Sequence, residues 1–222
     1  MSNTQKIVVK CELFNSEFPI FKNRVFTDHY FDLCNFELVE FENTLFSHTV
    51  FRECSFPNST FQNCVFQNCV FIDTFFTMNV FLKTDFMNCK FKRSIIADAD
   101  LISTQFLNTR FQNIQINDTV LLDTSLIRVR MLDSDLQYNS HENVSMSHSD
   151  ITHVDFSYSK FQSCELKKIE FLNSVFHKIE HKNCTIIDSN SISSFPENND
   201  NHKVTRHLFN IFNTFNVVPG IV

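Results

Sequence analysis

A large apolar residue returns at every fifth position through most of this chain. Phe fills that position without a break from Phe21 to Phe91, and the same phase continues to Ile186, which gives 34 consecutive five-residue units with Phe at 21 of them. A period of five fits neither standard element, because it turns the apolar residue by about 140° per unit on a helix and sends it to alternate faces of a flat strand. The chain must therefore bend once in every unit.

Two further positions of the unit are restricted. The residue two places before the large central residue is Cys, Thr, Ser, Ala or Val in 26 of the 34 units, and strand alternation puts both residues on the inward side. The second residue after the centre is Asn or Asp in 18 units. Because Asn and Asp tolerate positive φ best among non-glycine residues, they explain how a chain with a single Gly can turn so often.

This unit resembles that of the pentapeptide-repeat family, as the stretch CVFQNCVFIDTFFTMNVF from Cys64 to Phe81 shows. The resemblance implies an all-β fold, a right-handed quadrilateral parallel β-helix in which four units form a coil and each unit forms one side. Coils about 4.8 Å apart would build a rod of roughly 40 Å. Its core would be filled by stacked rings, for example those of Phe26, Phe46, Phe66, Phe86 and Phe106.

The sequence divides into three parts. Residues 1–20 are expected to form an N-terminal cap or offset first coil, because Val8, Leu13 and Phe18 repeat at five but out of phase with the main series. Residues 21–190 form the predicted β-helix. Residues 191–222 are expected to contain a loop, a short α-helix and a tail.

The short C-terminal helix is predicted from apolar residues at helical spacing, Leu208, Ile211, Phe212 and Phe215. Such a helix is too apolar to stand alone in water. We expect it to cap the last coil, to join a second copy of the chain as a homodimer, or to do both. The predicted dimer interface also includes Val217 and Val218.

Cysteine is expected to be structural. Seven of the eight cysteines fall on the small inward position and lack the spacing of a zinc site, so they are predicted to be buried, reduced thiols: Cys34, Cys54, Cys64, Cys69, Cys89, Cys164 and Cys184. The sequence thus predicts no metal ion and no cofactor.

Histidine and the inward asparagines are also interpreted as structural. The nine His are scattered and lie in no recognised nucleophile motif. His141 and His181 replace Phe at central positions, while Asn79 and Asn139 replace the small residue and are expected to bond to the backbone. We expect a local irregularity over residues 137–143 rather than an active site, and the sequence predicts no catalytic residue.

Acidic residues are distributed unevenly among the four sides of the predicted coil. The net charge of −6 argues against a protein that binds nucleic acid by neutralising phosphates. The side that contains Phe36 and Phe176 has one base, Lys178, against five acids, and two tyrosines lie between them: Glu37, Asp98, Asp118, Asp135, Asp155, Tyr138 and Tyr158. This side is predicted to contact a basic protein partner, while an acidic face that only keeps a rod in solution would have the same composition.

The helix and apolar tail after the last coil resemble those of pentapeptide proteins that protect DNA gyrase and topoisomerase IV. We expect a non-enzymatic, cytoplasmic protein, and the resemblance implies a homodimer that binds a type II topoisomerase by imitating duplex DNA and protects or inhibits it. The contact column would be Asp98, Asp118, Asp135 and Asp155. The uninterrupted register leaves no room for the protruding loops of the plasmid quinolone-resistance members.

The alternative is a rigid scaffold or bacterial effector that binds its partner through its termini. The two functions differ in where the contacts lie, on the acidic side or at the ends of the rod. No apolar stretch is long enough to predict a membrane segment, and the N-terminus lacks the pattern of a secretory signal.

Overall fold

The computed structural model describes residues 20–192 and, outside that range, the strands Ile7–Lys10 and Asn216–Val218. Residues 20–192 wind into a parallel β-solenoid of about 8 turns. Corresponding residues of neighbouring coils lie twenty positions apart, as in the pairing of Phe46 with Phe66. The predicted all-β solenoid is confirmed. The described residues contain no helix, and therefore none that could span a membrane.

Four sides are named here by their first central residue. The Phe21 side is a sheet of nine strands: Ile20–Lys22, Glu40–Glu42, Thr60–Gln62, Val80–Leu82, Asp100–Ile102, Val120–Leu122, Ser140–Glu142, Lys160–Gln162 and Glu180–Lys182. The Phe26 side contains Val25–Thr27, Leu45–Ser47, Val65–Gln67, Asp85–Met87, Gln105–Leu107, Ser125–Ile127, Thr185–Ile187 and Asn216–Val218.

The Phe31 side contains Ile7–Lys10, His29–Asp32, Val50–Arg52, Val70–Ile72, Lys90–Lys92, Arg110–Gln112 and Asn190–Ile192. The Phe36 side contains Phe75–Thr77, Ile95–Ala97 and Gln115–Asn117. Three longer strands run around corners and so belong to more than one side: Arg130–Asp135, Ser145–Asp155 and Glu165–Leu172. The four sides together enclose one continuous core.

The corners depend on left-handed backbone. The second residue after the centre has positive φ in all 34 units, with values from 49° to 61°. The series includes Leu33, Leu38 and Met78, which are poorly suited to this region of φ. The residue at the corner therefore adopts positive φ whatever its type, because the coil could not close otherwise. The many Asn and Asp residues at this position lower the conformational cost of the corner.

Phenylalanine rings fill the centre of the solenoid. Along the axis they stack face to face, as with Phe46 on Phe66 at 4.7 Å between centroids and 4° between planes. Around the bore they meet edge to face, as with Phe46 and Phe51 at 5.5 Å and 67°. Because each fully buried Phe contributes roughly 1.5 to 3 kcal/mol, this core is the main source of stability. The predicted ladder from Phe26 to Phe106 is confirmed.

The small inward residue has a hydrogen-bonding role as well as a steric one. Thr44 Oγ1 donates to the carbonyl of Phe21 at 2.9 Å, and Cys64 Sγ donates to that of Phe41 at 3.3 Å. Asn79 and Asn139 donate through Nδ2 to the carbonyls of Phe56 and Ile116, which confirms their expected bonding to the backbone. The position therefore favours small side chains that carry a polar hydrogen, because buried carbonyls need donors.

The ends of the solenoid differ in detail from the sequence prediction. In the first described strand, Val9 rather than Val8 pairs with the central Phe31, and the offset first coil over residues 1–20 lies mostly outside the described residues. At the other end, Asn190–Ile192 pairs with Glu170–Leu172, so the ladder continues past the predicted limit at residue 190. The irregularity expected over residues 137–143 is limited to a turn at 137–138, because Ser140–Glu142 pairs in register with both neighbouring coils.

Candidate protein-binding surface

The Phe36 side has two kinds of backbone. Three coils form ordinary strands on this side, whereas in five others a turn follows the central residue, at 37–38, 57–58, 137–138, 157–158 and 177–178. The residue before the centre is Phe75, Ile95 or Gln115 in the strands and Asn35, Ser55, Asp135 or Asp155 before four of the turns. Short polar side chains suit a turn because they can bond to the backbone N–H two residues on.

Asp135 and Asp155 make these turn-forming bonds. Asp135 Oδ1 accepts from the N–H of Gln137 at 3.1 Å, and Asp155 Oδ1 accepts from the N–H of Ser157 at 2.8 Å. The two residues are direct partners on neighbouring strands, and Gln137 Nε2 donates to Asp155 Oδ2 at 3.1 Å. Both side chains are half-buried. These carboxylates therefore stabilise the turns, and little of their hydrogen-bonding capacity faces a partner.

Asp98 and Asp118 lie elsewhere on the same side, at the corner where it meets the Phe21 side. Both have the left-handed backbone of a corner, with φ of 52° and 53°, and both side chains are exposed. Neither carboxylate forms an ion pair or a hydrogen bond within the described part of the chain. Asp100 begins the adjoining strand and is also exposed. We call Asp98, Asp100 and Asp118 the acidic edge.

Two tyrosines continue the acidic edge along the rod. Tyr138 and Tyr158 occupy the same corner position as Asp118 in the next two coils, and their rings stack at 4.9 Å with planes 6° apart. Tyr138 is 54% exposed and Tyr158 is 39% exposed. The Nζ of Lys178 lies 5.4 Å from the centroid of Tyr158 and ends this column with a positive charge. The corner thus presents carboxylates, then an aromatic surface, then one base.

The four aspartates of the predicted contact column do not lie in a single column. Asp98 and Asp118 are the second residues after their centres, whereas Asp135 and Asp155 are the residues before theirs, so the four form two separate pairs. Sorting residues by side does not resolve their place within a unit. Glu37 is exposed but lies several coils away from both pairs. Asp100 was missed because it belongs to the adjoining side.

Cysteine and histidine offer no reactive cluster in the described range. The seven inward thiols are buried, and burial raises the pKa of Cys64 to about 11. His141 is buried, and desolvation lowers its pKa to about 3, so it is neutral at physiological pH. No three metal-binding side chains approach one another within residues 20–192. His181 holds the equivalent position two coils further on and is partly buried.

The predicted dimer interface falls mostly outside the described residues, since it includes Leu208, Ile211, Phe212 and Phe215. Val217 and Val218 lie in the strand Asn216–Val218, which pairs in parallel with Thr185–Ile187 of the same chain. This strand adds a further rung to the Phe26 side, and the homodimer stays a prediction.

Comparison with known proteins supports the repeat architecture. A profile described as a pentapeptide repeat region matches residues 94–171, and one described as pentapeptide repeats in 8 copies matches residues 34–76. Together these matches cover more than half of the chain. The search of curated proteins finds no match.

The comparison with solved structures finds QnrB1 and HetL among others. A trypsin-treated variant of QnrB1, a plasmid-mediated fluoroquinolone resistance protein, has 13% identity and a TM-score of 0.54, over 93% of this chain and 100% of that chain. HetL, a pentapeptide repeat protein involved in heterocyst differentiation regulation in the cyanobacterium Nostoc sp. strain PCC 7120, has 11% identity and a TM-score of 0.31, over 81% of this chain and 92% of that chain.

At 13% identity, the similarity to QnrB1 shows the fold alone. The family rests on independent grounds, namely the five-residue unit, the spacing of twenty residues between coils and the two profile matches. The chain therefore belongs to the pentapeptide-repeat proteins.

Proposed function

We propose that this chain is a non-enzymatic rod that binds the basic DNA-binding groove of a type II topoisomerase through its acidic edge. The observation that carries the proposal is the placement of Asp98, Asp100 and Asp118, which are exposed and form no ion pair in the described residues. Like charges on neighbouring strands repel one another, so this arrangement costs stability unless a basic partner neutralises it.

The spacing of the acidic edge suits a groove built for DNA. Asp98 and Asp118 occupy one corner position in successive coils, and neighbouring strands lie about 4.8 Å apart. One strand of duplex DNA carries a phosphate for roughly every 3.4 Å of helix axis. The edge therefore offers carboxylates at a density of the same order, on a backbone that its core holds rigid.

The stacked tyrosines add a contact that phosphates do not provide. Tyrosine places a large, amphipathic surface at low cost in side-chain entropy, and it is enriched at protein interfaces. Tyr138 and Tyr158 already constrain each other by stacking, so little freedom is lost on binding. We expect the carboxylates to steer the partner and the tyrosines to supply affinity.

The proposed dimer would repeat the acidic edge on a second rod. Two-fold pairing through the C-terminal segment would place one acidic edge on each side of the symmetry axis. A type II topoisomerase is itself two-fold symmetric in its DNA-binding region, so a dimeric rod would match it in symmetry. QnrB1 is a plasmid-mediated fluoroquinolone resistance protein, which is consistent with a topoisomerase as the target, since that drug class acts on these enzymes.

The test is DNA supercoiling by gyrase, with and without a fluoroquinolone, in the presence of the chain. Wild type should change either the activity or the drug inhibition, and the triple variant Asp98→Asn, Asp100→Asn, Asp118→Asn should not. Asn tolerates the corner backbone at positions 98 and 118 and is polar at the exposed position 100, so folding should be retained. The control Glu40→Gln, Glu165→Gln, Glu170→Gln removes the same charge from exposed positions elsewhere and should act as wild type does.

Two results would contradict the proposed function. If wild type has no effect on gyrase or topoisomerase IV, the topoisomerase is not the partner, and the scaffold that binds through its termini becomes the better proposal. If both triple variants lose the effect equally, the interaction depends on total charge and not on the acidic edge.

A further inference from the structure

Positive charge concentrates at the edge where the Phe26 side meets the Phe31 side. The corner column at this edge changes along the rod from three amides, Asn68, Asn88 and Asn108, to Arg128, His148 and Lys168. Beside it, the first residues of successive strands on the Phe31 side are Lys90, Arg110 and Arg130. We call Lys90, Arg110, Arg128, Arg130 and His148 the basic edge. It lies diagonally across the tube from the acidic edge, because two sides separate them in either direction.

Ion pairs within the chain do not neutralise most of the bases of the basic edge. Lys90 pairs with Arg110 and Arg110 with Arg130 on neighbouring parallel strands, so like charges stand directly opposite one another. Arg130 Nε reaches Asp150 Oδ2 at 3.1 Å. Within the described part of the chain, Arg110 and Arg128 form no ion pair, although Arg93 on the same side takes both oxygens of Asp73.

A surface pocket opens among these bases. It has a volume of about 510 Å³ and is lined by Asn108, Arg110, Arg128, Val129, Arg130, His148 and Asp150. Val129 is fully buried, so the accessible lining is made of polar groups, which lie on three successive coils. Asp150, the one carboxylate of the lining, is bonded to Arg130. The guanidinium groups of Arg110 and Arg128 therefore have no carboxylate partner in the pocket.

We propose that this pocket binds a small phosphate-bearing ligand, with Arg110 and Arg128 as the principal donors. The planar guanidinium fork matches the oxygens of phosphate and can bind two of them at once. The volume falls in the range of small-molecule sites, which leaves room for a second phosphate or for the organic part of an ester. Asn108 and His148 add polar groups at the rim.

This pocket is separate from the surface proposed to bind a topoisomerase. The acidic edge attracts a basic protein, whereas the basic edge on the far side of the rod attracts a small anion. A phosphate ligand would relieve the repulsion in the ladder from Lys90 to Arg130 and so stabilise the coils that form it. The two bindings can therefore be measured independently.

The experiment is isothermal titration of the full chain at constant ionic strength with three probes: inorganic phosphate, pyrophosphate and phenyl phosphate. We expect saturable binding with one site per chain. Arg110→Gln and Arg128→Gln should each weaken it by about tenfold or more, which is the effect of losing one charge-assisted hydrogen bond. Lys83→Gln, which removes one positive charge from an exposed corner elsewhere, should bind as wild type does.

The probes separate the sources of the phosphate. Tighter binding of phenyl phosphate than of inorganic phosphate would support an esterified ligand, and tighter binding of pyrophosphate would support a diphosphate. Binding that does not saturate, or that weakens equally in all three variants, would overturn the proposal. Arg110 and Arg128 are surface residues, and unchanged circular dichroism of their variants would confirm that the loss is not due to unfolding.

Discussion

His141 stacks face to face on Phe161, with ring centroids 4.4 Å apart and planes 3° from parallel. An imidazole thus occupies a rung of a ladder that is otherwise built largely from phenyl and aliphatic side chains. Its Nε2 has no hydrogen-bond partner in the described structure, and burial lowers the pKa of the ring to about 3. The folded protein therefore keeps His141 neutral at a pH where the unfolded chain protonates it.

This difference makes stability depend on pH. The folded pKa lies below the ordinary value of 6.5, so the unfolded state binds more protons as the pH falls between 6.5 and about 3. In that window the free energy of unfolding should fall by up to about 1.4 kcal/mol per pH unit because of this group. His141→Phe removes the group and should abolish that part of the acid sensitivity.

Urea unfolding at several pH values checks this prediction. The stability advantage of His141→Phe over wild type should grow as the pH falls below 6.5. His177→Gln, which changes an exposed histidine, should follow wild type. A constant difference between His141→Phe and wild type across the window would contradict a neutral, buried imidazole.

Asp155 should matter for folding more than Asp98 does. Asp155→Ala removes the acceptor for the N–H of Ser157 and for Gln137 Nε2, so we expect a loss of about 1 to 2 kcal/mol in the free energy of unfolding. Asp155→Asn keeps one oxygen acceptor and should lose less. Asp98→Asn should leave the free energy of unfolding nearly unchanged, because the Asp98 carboxylate forms no hydrogen bond or ion pair in the described residues. Chemical unfolding of the three variants would show equal losses if the turn bonds were unimportant.

The inward thiols should resist modification in the native state. Cys64 is fully buried and its pKa is raised to about 11, and burial also raises the pKa of Cys89. The thiolate is the reactive form, so an aromatic disulfide reagent at pH 8 should label Cys64 and Cys89 only after unfolding. Rapid labelling of either thiol in the folded protein would mean that the solenoid opens readily.

The proposed homodimer can be tested at Phe212. Phe212→Asp places a charge in the apolar C-terminal segment and should convert the dimer to a monomer in analytical ultracentrifugation. The spectrum in circular dichroism should keep its β character, because the solenoid is formed by residues 20–192. Sedimentation of the wild-type protein as a monomer would contradict the proposed homodimer.

The sequence was sufficient to predict the solenoid because one physical constraint repeats throughout it. A large residue at every fifth position has to return to a shared interior, and the rings of Phe46 and Phe66 do stack as the period requires. The same constraint explains why Leu33 and Met78 adopt positive φ although neither residue favours it. At these two positions, the burial of the core and the closure of the coil outweigh the backbone preference of the residue.

The candidate surface was only partly predictable. The acidic character of the Phe36 side follows from composition, but the separation of Asp98 and Asp118 from Asp135 and Asp155 depends on the position within each unit. The turns at 137–138 and 157–158 depend on carboxylate bonds to the backbone, which five-residue periodicity does not encode. The offset that pairs Val9 with Phe31 likewise lies outside the regular phase.

The most direct test of the acidic edge is competition for gyrase between this chain and duplex DNA. The chain should bind immobilised gyrase, short duplex DNA should displace it, and added salt should weaken the binding because charge complementarity drives it. The variant Asp98→Asn, Asp100→Asn, Asp118→Asn should bind at least about tenfold more weakly than wild type. Binding that survives saturating DNA, or that is unchanged in this variant, would contradict an acidic edge that acts as a substitute for DNA.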